Sequence, residues 1–397
     1  MKKSVSILTN NLCCDQLAAY YTKVEKYFTV NGWKIRKDHT SDYIVIIGCG
    51  PFDLTFNLVK NELEQIKNKR DTFANIIVMG CITKTFTDSL NMIFDGIVIQ
   101  YGEEDRLDEI LKNTTRFNEI DIINVFKKPK QKSRNDKNNL FAILIAEGCF
   151  MKCTYCIINR AYGKIKSKPV SEIETEYKRA ISNGYKNIEL IGTDISIYGV
   201  DIGTNIVELM NCLLDIDSNV LFYLSNFNAN WLNKYTDGFV ALASRIAYIH
   251  IPLQHANDEV LKRMGRQDGF DFIYGVLKRM KEINPNIYFN TDLICGFPGE
   301  TQSEFEDLLE FVKNDTCFSN YTINYYFDNP GTIASQMDNK ISTSIKILRR
   351  DELKKIANTK INITEFKNKA FKRHKLLRQL NNDRCYYIKN SYESIKK

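Results

Sequence analysis

Ten apolar, β-branched runs divide this chain, and stretches of helical character separate them. Four fall early, at Val5–Leu8, Tyr43–Ile47, Ile76–Met79 and Gly96–Ile99. Strands alternating with helices imply a parallel sheet covered on both faces. Six more follow, at Leu140–Ala146, Asn187–Ile191, Val220–Leu224, Ile246–Ile251, Ile287–Cys295 and Tyr321–Phe327. Six β/α repeats make a partial barrel rather than the closed eight-stranded form. Two helix starts are legible. Ser171 with Glu174, and Thr301 with Glu304, fit the capping-box spacing, in which each side chain satisfies a free amide of the first turn. The helix after Ser171 presents Ile173, Tyr177, Ala180 and Ile181 on one face and is expected to end near Asn183-Gly184. A polar stretch from Lys127 to Asn139 reads as a linker.

The first strand of the second group runs straight into three cysteines, Cys149, Cys153 and Cys156, separated by three and then two residues. Four-iron clusters normally take four thiolates. A motif one thiolate short holds three irons and keeps the fourth open for chemistry. A structural zinc would need a fourth nitrogen or sulfur ligand at a paired spacing, and none lies nearby.

The first group of strands places cysteines at one topological point. Cys13 and Cys14 follow its first strand, Cys49 its second and Cys81 its third. Open parallel sheets bind ligands outside the carboxyl ends of their strands. Loops far apart in sequence can thus bring three thiols to one edge, again with one coordination position open. Burial as small hydrophobes is the competing reading.

Composition limits the setting. The basic start Met1-Lys2-Lys3, its apolar stretch broken at Asn10-Asn11, is not expected to act as a secretory signal, and on that expectation eleven cysteines favour metal or redox use over a disulfide framework. No apolar run approaches membrane-spanning length, and the cytoplasm is the expected location. The net charge of +7 is uneven. Residues 343–397 carry sixteen Lys or Arg against five Asp or Glu, which leaves the remainder four charges negative. Such a tail suits either a solvated helical face or contact with a polyanion.

At this point a resemblance becomes specific. Gly148-Cys149-Phe150-Met151-Lys152-Cys153-Thr154-Tyr155-Cys156-Ile157-Ile158, continuing through Gly163 to Ser167-Lys168-Pro169, resembles the methylthiotransferases of the radical S-adenosylmethionine superfamily. Leu190-Ile191-Gly192-Thr193-Asp194 with Tyr198-Gly199, His250-Ile251-Pro252-Leu253-Gln254, and Val260-Leu261-Lys262-Arg263-Met264 extend the likeness. Asp292 through Thr301 and Pro330-Gly331-Thr332 complete it, in family order, over about residues 1 to 350. The resemblance implies two 4Fe-4S clusters and S-adenosyl-L-methionine as cofactors. The cluster on Cys149, Cys153 and Cys156 would generate the 5′-deoxyadenosyl radical. The auxiliary cluster, on Cys49, Cys81 and either Cys13 or Cys14, would carry the sulfur to be inserted. In family members one S-adenosylmethionine supplies the methyl group and another the radical.

Further residues are candidates for cofactor contact: Tyr155, Thr193, Asp194, Ser225, Gly296, Pro298 and Gly299. A helix-start role competes for Asp194 and a simple strand-to-helix turn for the glycines. Arg263 and Arg266 are candidates for substrate contact, although an apparent helix there favours solvent exposure. None of the four histidines has sequence neighbours suggesting a relay, and His250 is expected to pack at a strand end. The departures from the family pattern are informative too. Arginines common in the family appear here as Tyr162, Lys164, Lys166 and Lys168, and lysine lacks the planar fork for bidentate recognition. The small RNA-gripping β-barrel (TRAM domain) that usually ends family members has no counterpart pattern in residues 343–397.

The expected architecture is therefore α/β. A parallel-sheet, flavodoxin-like domain (residues 1–126), a linker (127–139) and a partial barrel (140–342) precede a basic, mainly helical segment (343–397). The expected activity is radical methylthio transfer to an unactivated C–H bond. A peptide or protein substrate is favoured by the missing barrel, and transfer RNA is the alternative favoured by the basic tail. An electron-relay role for the auxiliary cluster, without sulfur insertion, is a further alternative. A low-potential electron donor and a sulfur source are the other partners implied; a membrane is not.

Overall fold

The computed structural model describes residues 3–9, 15–36, 39–50, 53–69, 75–120, 140–266, 269–360 and 386–387. Cys13, Cys14, the expected linker 127–139 and most of the basic C-terminal segment lie outside the described residues. Two compact units divide the chain. The first takes Met1–Lys130, Ile157–Gly163 and His374–Lys397, and the second takes Gln131–Cys156 and Lys164–Arg373.

The first unit is built on β1 (Ser4–Thr9), β2 (Lys34–Arg36), β3 (Tyr43–Ile47), β4 (Ile76–Met79) and β5 (Ile97–Val98). All pair in parallel, in the order β2-β1-β3-β4-β5. That is the flavodoxin-like order, whose switch point lies between β1 and β3. Side chains alternate between two cores. Val45, Ile47, Ile77 and Met79 pack on one face, and Ile44, Ile46, Ile76 and Val78 on the other. Burial on both faces explains why these strands read as continuous apolar runs. β2 gives no such signal, because Lys-Ile-Arg is largely polar and its ends are half exposed or open.

The second unit runs through β6 (Leu140–Glu147), β7 (Lys166–Ser167), β8 (Asn187–Gly192), β9 (Leu221–Leu224), β10 (Ile246–His250), β11 (Tyr288–Cys295) and β12 (Asn320–Tyr325). The order is β12-β11-β10-β9-β8-β6-β7. Every pairing is parallel except the short β6–β7 contact, and β6 does not pair with β12, so the barrel stays open. Helices 170–182, 206–216, 232–241, 270–283 and 302–314 connect the strands.

The helix at Gln302–Asn314 has the expected capping box, with Thr301 and Glu304 exchanging bonds. The helix at Val170–Ser182 does not. Pro169 stands at its N-cap and Ser171 is already inside the first turn. The C-terminal segment opens with the expected helix, Thr343–Lys360. Farther on, Tyr386–Tyr387 form a short strand, β13, beside Leu8 and Thr9 of β1, where helix was expected.

Candidate functional site

The loop carrying Cys149, Cys153 and Cys156 leaves the carboxyl end of β6 and is pinned by distant segments of its own unit. Thr193 Oγ1, at the end of β8, accepts from the Gly148 amide at 3.0 Å. Thr154 donates from its amide to Met264 O at 3.0 Å and from its hydroxyl to Arg263 O at 2.8 Å. Its own carbonyl accepts from the Ala334 amide at 2.8 Å. Two sequence motifs, Val260–Met264 and Pro330-Gly331-Thr332, thus act through their neighbourhood by fixing this loop.

All three thiols are half-buried. The Met151 amide donates to Cys149 Sγ at 3.3 Å, a bond that favours a thiolate. Burial, then the neighbouring Asp194 carboxylate, pushes the free Cys149 thiol well above its ordinary range. Among the described residues no three His, Cys, Asp or Glu side chains converge on a point as a single ion requires. A four-iron cluster takes one thiolate per iron, and three half-buried thiols on one short loop suit it.

Asp194 performs two tasks. Its Oδ1 accepts from the Ser196 amide (3.0 Å) and hydroxyl (2.6 Å), capping the short turn at 195–197. Its Oδ2 lies 4.0 Å from Cys149 Sγ. Ser225 is fully buried and donates to the buried Glu189 at 2.6 Å, so its hydroxyl is engaged inside the barrel.

Arg266 is not on an exposed helix. That helix spans Asp258–Arg263, Gly265 ends it, and Arg266 turns inward to 7% exposure. Its Nε and Nη2 donate to Tyr155 Oη at 3.3 and 2.9 Å. Its Nη1 reaches Asn228 Oδ1 at 3.1 Å and Pro252 O at 2.9 Å. The fork of Arg263 is occupied instead by Glu304, at 3.0 and 2.9 Å, in the bidentate arrangement guanidinium favours.

The turn after β11 is held from beneath. Glu300 accepts from the Gly296 amide at 2.7 Å, from His255 Nε2 at 3.0 Å, and from Arg349. Gly296 has φ +72°, and a Cβ there would lie 2.3 Å from Lys346 Cγ. Pro298 and Gly299 follow, with the Gly299 amide bonded to Asn339 O at 3.0 Å. Two of the histidines lie in this unit, and His250 ends β10, where it was expected to pack. His255 is completely buried against Glu300. His250 Nδ1 is 3.1 Å from Asn226 Oδ1, and its Nε2 is 3.1 Å from Asp292 Oδ1.

In the first unit, Cys49 and Cys81 follow β3 and β4 and share one core face. Gly48 and Gly50 flank Cys49. A Cβ on Gly48 would lie 2.5 Å from Ile82 Cγ2, and one on Gly50 would lie 2.7 Å from Ile82 Cα. Lacking a side chain, both let the two loops close until the thiols meet. The Cys81 thiol is lowered to about 7, first by its hydrogen bond with Cys49 and further by Tyr162. Tyr162 Oη lies 2.9 Å from Cys81 Sγ. Two adjacent buried thiols in a glycine-lined cradle suit thiolate ligation; the further ligand expected, Cys13 or Cys14, lies outside the described residues. The sequence pattern had not singled out Tyr162 as a thiol partner, nor Asn228 or Glu300 as supports.

A model of the radical SAM superfamily matches residues 143–312. The chain is 32% identical over 322 residues to the ribosomal protein uS12 methylthiotransferase RimO of Protochlamydia amoebophila, across 77% of this chain and 66% of that protein. It is 29% identical over 332 residues to the threonylcarbamoyladenosine tRNA methylthiotransferase MtaB of Thermotoga maritima, across 82% of this chain and 76% of that one. The chain thus spans just under two thirds of the first relative and about three quarters of the second. Among solved structures, the radical S-adenosylmethionine methyltransferase TsrM from Kitasatospora setae shares the fold. Its TM-score is 0.55 at 12% identity, over 81% of this chain and 75% of that one.

Proposed function

Because the chain belongs to the radical S-adenosylmethionine methylthiotransferase family, we propose that it inserts a methylthio group at an unactivated C–H bond of a peptide or protein residue. The observation that carries this reading is the pairing of two thiol sites in one chain. One is the three-cysteine loop after β6, a thiolate short of a full cluster set. The other is the contact between Cys49 and Cys81. When bound, two 4Fe-4S clusters and S-adenosylmethionine would supply the 5′-deoxyadenosyl radical and the methylated sulfur.

The chain's own residues supply position. Cys149, Cys153 and Cys156 would hold the radical-generating cluster, with the Met151 amide supporting the first thiolate. Thr193 and Arg266 keep that loop at a fixed height over the barrel. The Gly296–Gly299 turn, tied down by Glu300, would offer its backbone to the nucleoside. Cys49 and Cys81, with Cys13 or Cys14, would hold the auxiliary cluster. Such rigid placement is the protein's share of chemistry that cofactors perform.

A protein substrate agrees with the name of the uS12-modifying relative. Transfer RNA is the second reading, favoured by the tRNA-modifying relative and by the basic surplus in residues 343–397. The test is anaerobic incubation with S-adenosylmethionine, a low-potential reductant, sulfide, and either ribosomal protein or tRNA, followed by mass spectrometry. A product heavier by a methylthio group supports the proposal and identifies the substrate class. Dehydrogenation alone, or no 5′-deoxyadenosine, overturns it.

A further inference from the structure

Tyr162 stands where family members commonly carry arginine, and its hydroxyl meets the buried sulfur of Cys81 at 2.9 Å. Its orientation is fixed by more than that bond. The Tyr162 ring packs edge-on against Tyr101, with centroids 4.6 Å apart at 79°. Tyr101 leans on Tyr20 at 5.2 Å, and Tyr20 Oη donates to Glu104 at 2.8 Å. Tyr162 comes from the helix Ile158–Tyr162, which belongs to the first unit together with the sheet.

We propose that Tyr162 is a positioning residue for the sulfur-delivering cluster, donating a hydrogen bond from its phenol to the Cys81 thiolate. The proposal rests on the reading of Cys81 as a ligand of that cluster. Either partner can donate in the free protein. An iron-bound sulfur carries no proton, so the phenol then becomes the donor. Reduction adds negative charge to a cluster and part of it falls on the thiolate sulfurs. A donor aimed at one of them stabilises the reduced form and raises the potential, which is one of the means by which proteins set these centres. A neutral phenol does this without the full positive charge of an arginine. Cys81 is only 5% exposed, so water cannot replace the bond when it is lost.

The experiment uses the full chain carrying Cys149→Ala, Cys153→Ala and Cys156→Ala, reconstituted anaerobically with iron and sulfide, so that only the auxiliary cluster is observed. Its midpoint potential is measured by electron paramagnetic resonance during redox titration. The same is done after adding Tyr162→Phe or, separately, Tyr27→Phe. Tyr27 is a buried tyrosine of the same unit bonded to Asp108, well apart from Cys81 in its contacts. The expected result is a shift to lower potential in the Tyr162 variant and none in the Tyr27 variant. Equal midpoints for the parent and the Tyr162 variant, or equal shifts in both variants, overturn the proposal alone. A parent that retains no iron overturns the auxiliary-cluster reading and this proposal with it.

Discussion

Arg266 brings two nitrogens to one oxygen of Tyr155, at 3.3 and 2.9 Å, from 111 positions farther along the chain. The bond joins the cysteine loop to the segment that closes over it, and the third guanidinium nitrogen anchors the pair to Asn228 and Pro252. Substituting Arg266→Ala removes the guanidinium donor from Tyr155 Oη and Pro252 O in a buried setting, while Asn228 Oδ1 keeps the Asn230 amide. We expect a loss of about 3 kcal/mol in stability, read by urea denaturation. Arg266→Lys keeps the charge but cannot span these partners, and should recover less than half of the loss.

Glu300 collects an amide, a histidine and a guanidinium in a site with no solvent access to its side chain. Glu300→Ala strands the Arg349 cation, at a cost of about 3 to 5 kcal/mol. Thermal unfolding would measure it. Because the same carboxylate holds the Gly296 amide, S-adenosylmethionine affinity should fall in the folded fraction, as equilibrium dialysis can show.

Gly296→Ala tests that turn directly. The left-handed backbone costs a side chain about 1 to 2 kcal/mol, and the new methyl meets the Lys346 stem. Adding Lys346→Ala should relieve the contact but not the backbone strain, so the double variant recovers only part of the stability. Full recovery would show that φ +72° is not a constraint there.

Iron content separates the two thiol sites. Reconstituted protein should hold about eight irons per chain, and the variant lacking Cys149, Cys153 and Cys156 about four. Replacing Cys49 or Cys81 should leave cofactor cleavage measurable while methylthio transfer disappears. Full iron in the triple variant would contradict the ligand assignment.

Local patterns in the chain revealed the strands and the thiol spacing, because both depend on near neighbours. Tyr43–Ile47 and Ile76–Met79 are strands over those residues, and the six barrel strands fall within two residues of their apolar runs at every end. β2 escaped because Lys34 and Arg36 dilute the single isoleucine between them. Ser171 misled because its spacing to Glu174 imitates a capping box, although the helix starts one residue earlier, with Pro169 at the N-cap and no side-chain cap bond. Arg266, Glu300 and Tyr162 were hidden for a different reason. Their partners Tyr155, Arg349 and Cys81 come from other parts of the chain, where no periodicity points.

Asp194 divides its two oxygens between a backbone turn and the approach to Cys149. Asparagine would keep the first duty and forfeit the charge of the second; glutamate would overreach both. The reactive motif therefore takes part of its alignment from a stretch of only a few residues after β8. A one-residue insertion between Gly192 and Tyr198 should disable the enzyme as surely as losing a cysteine, while leaving every thiol in place.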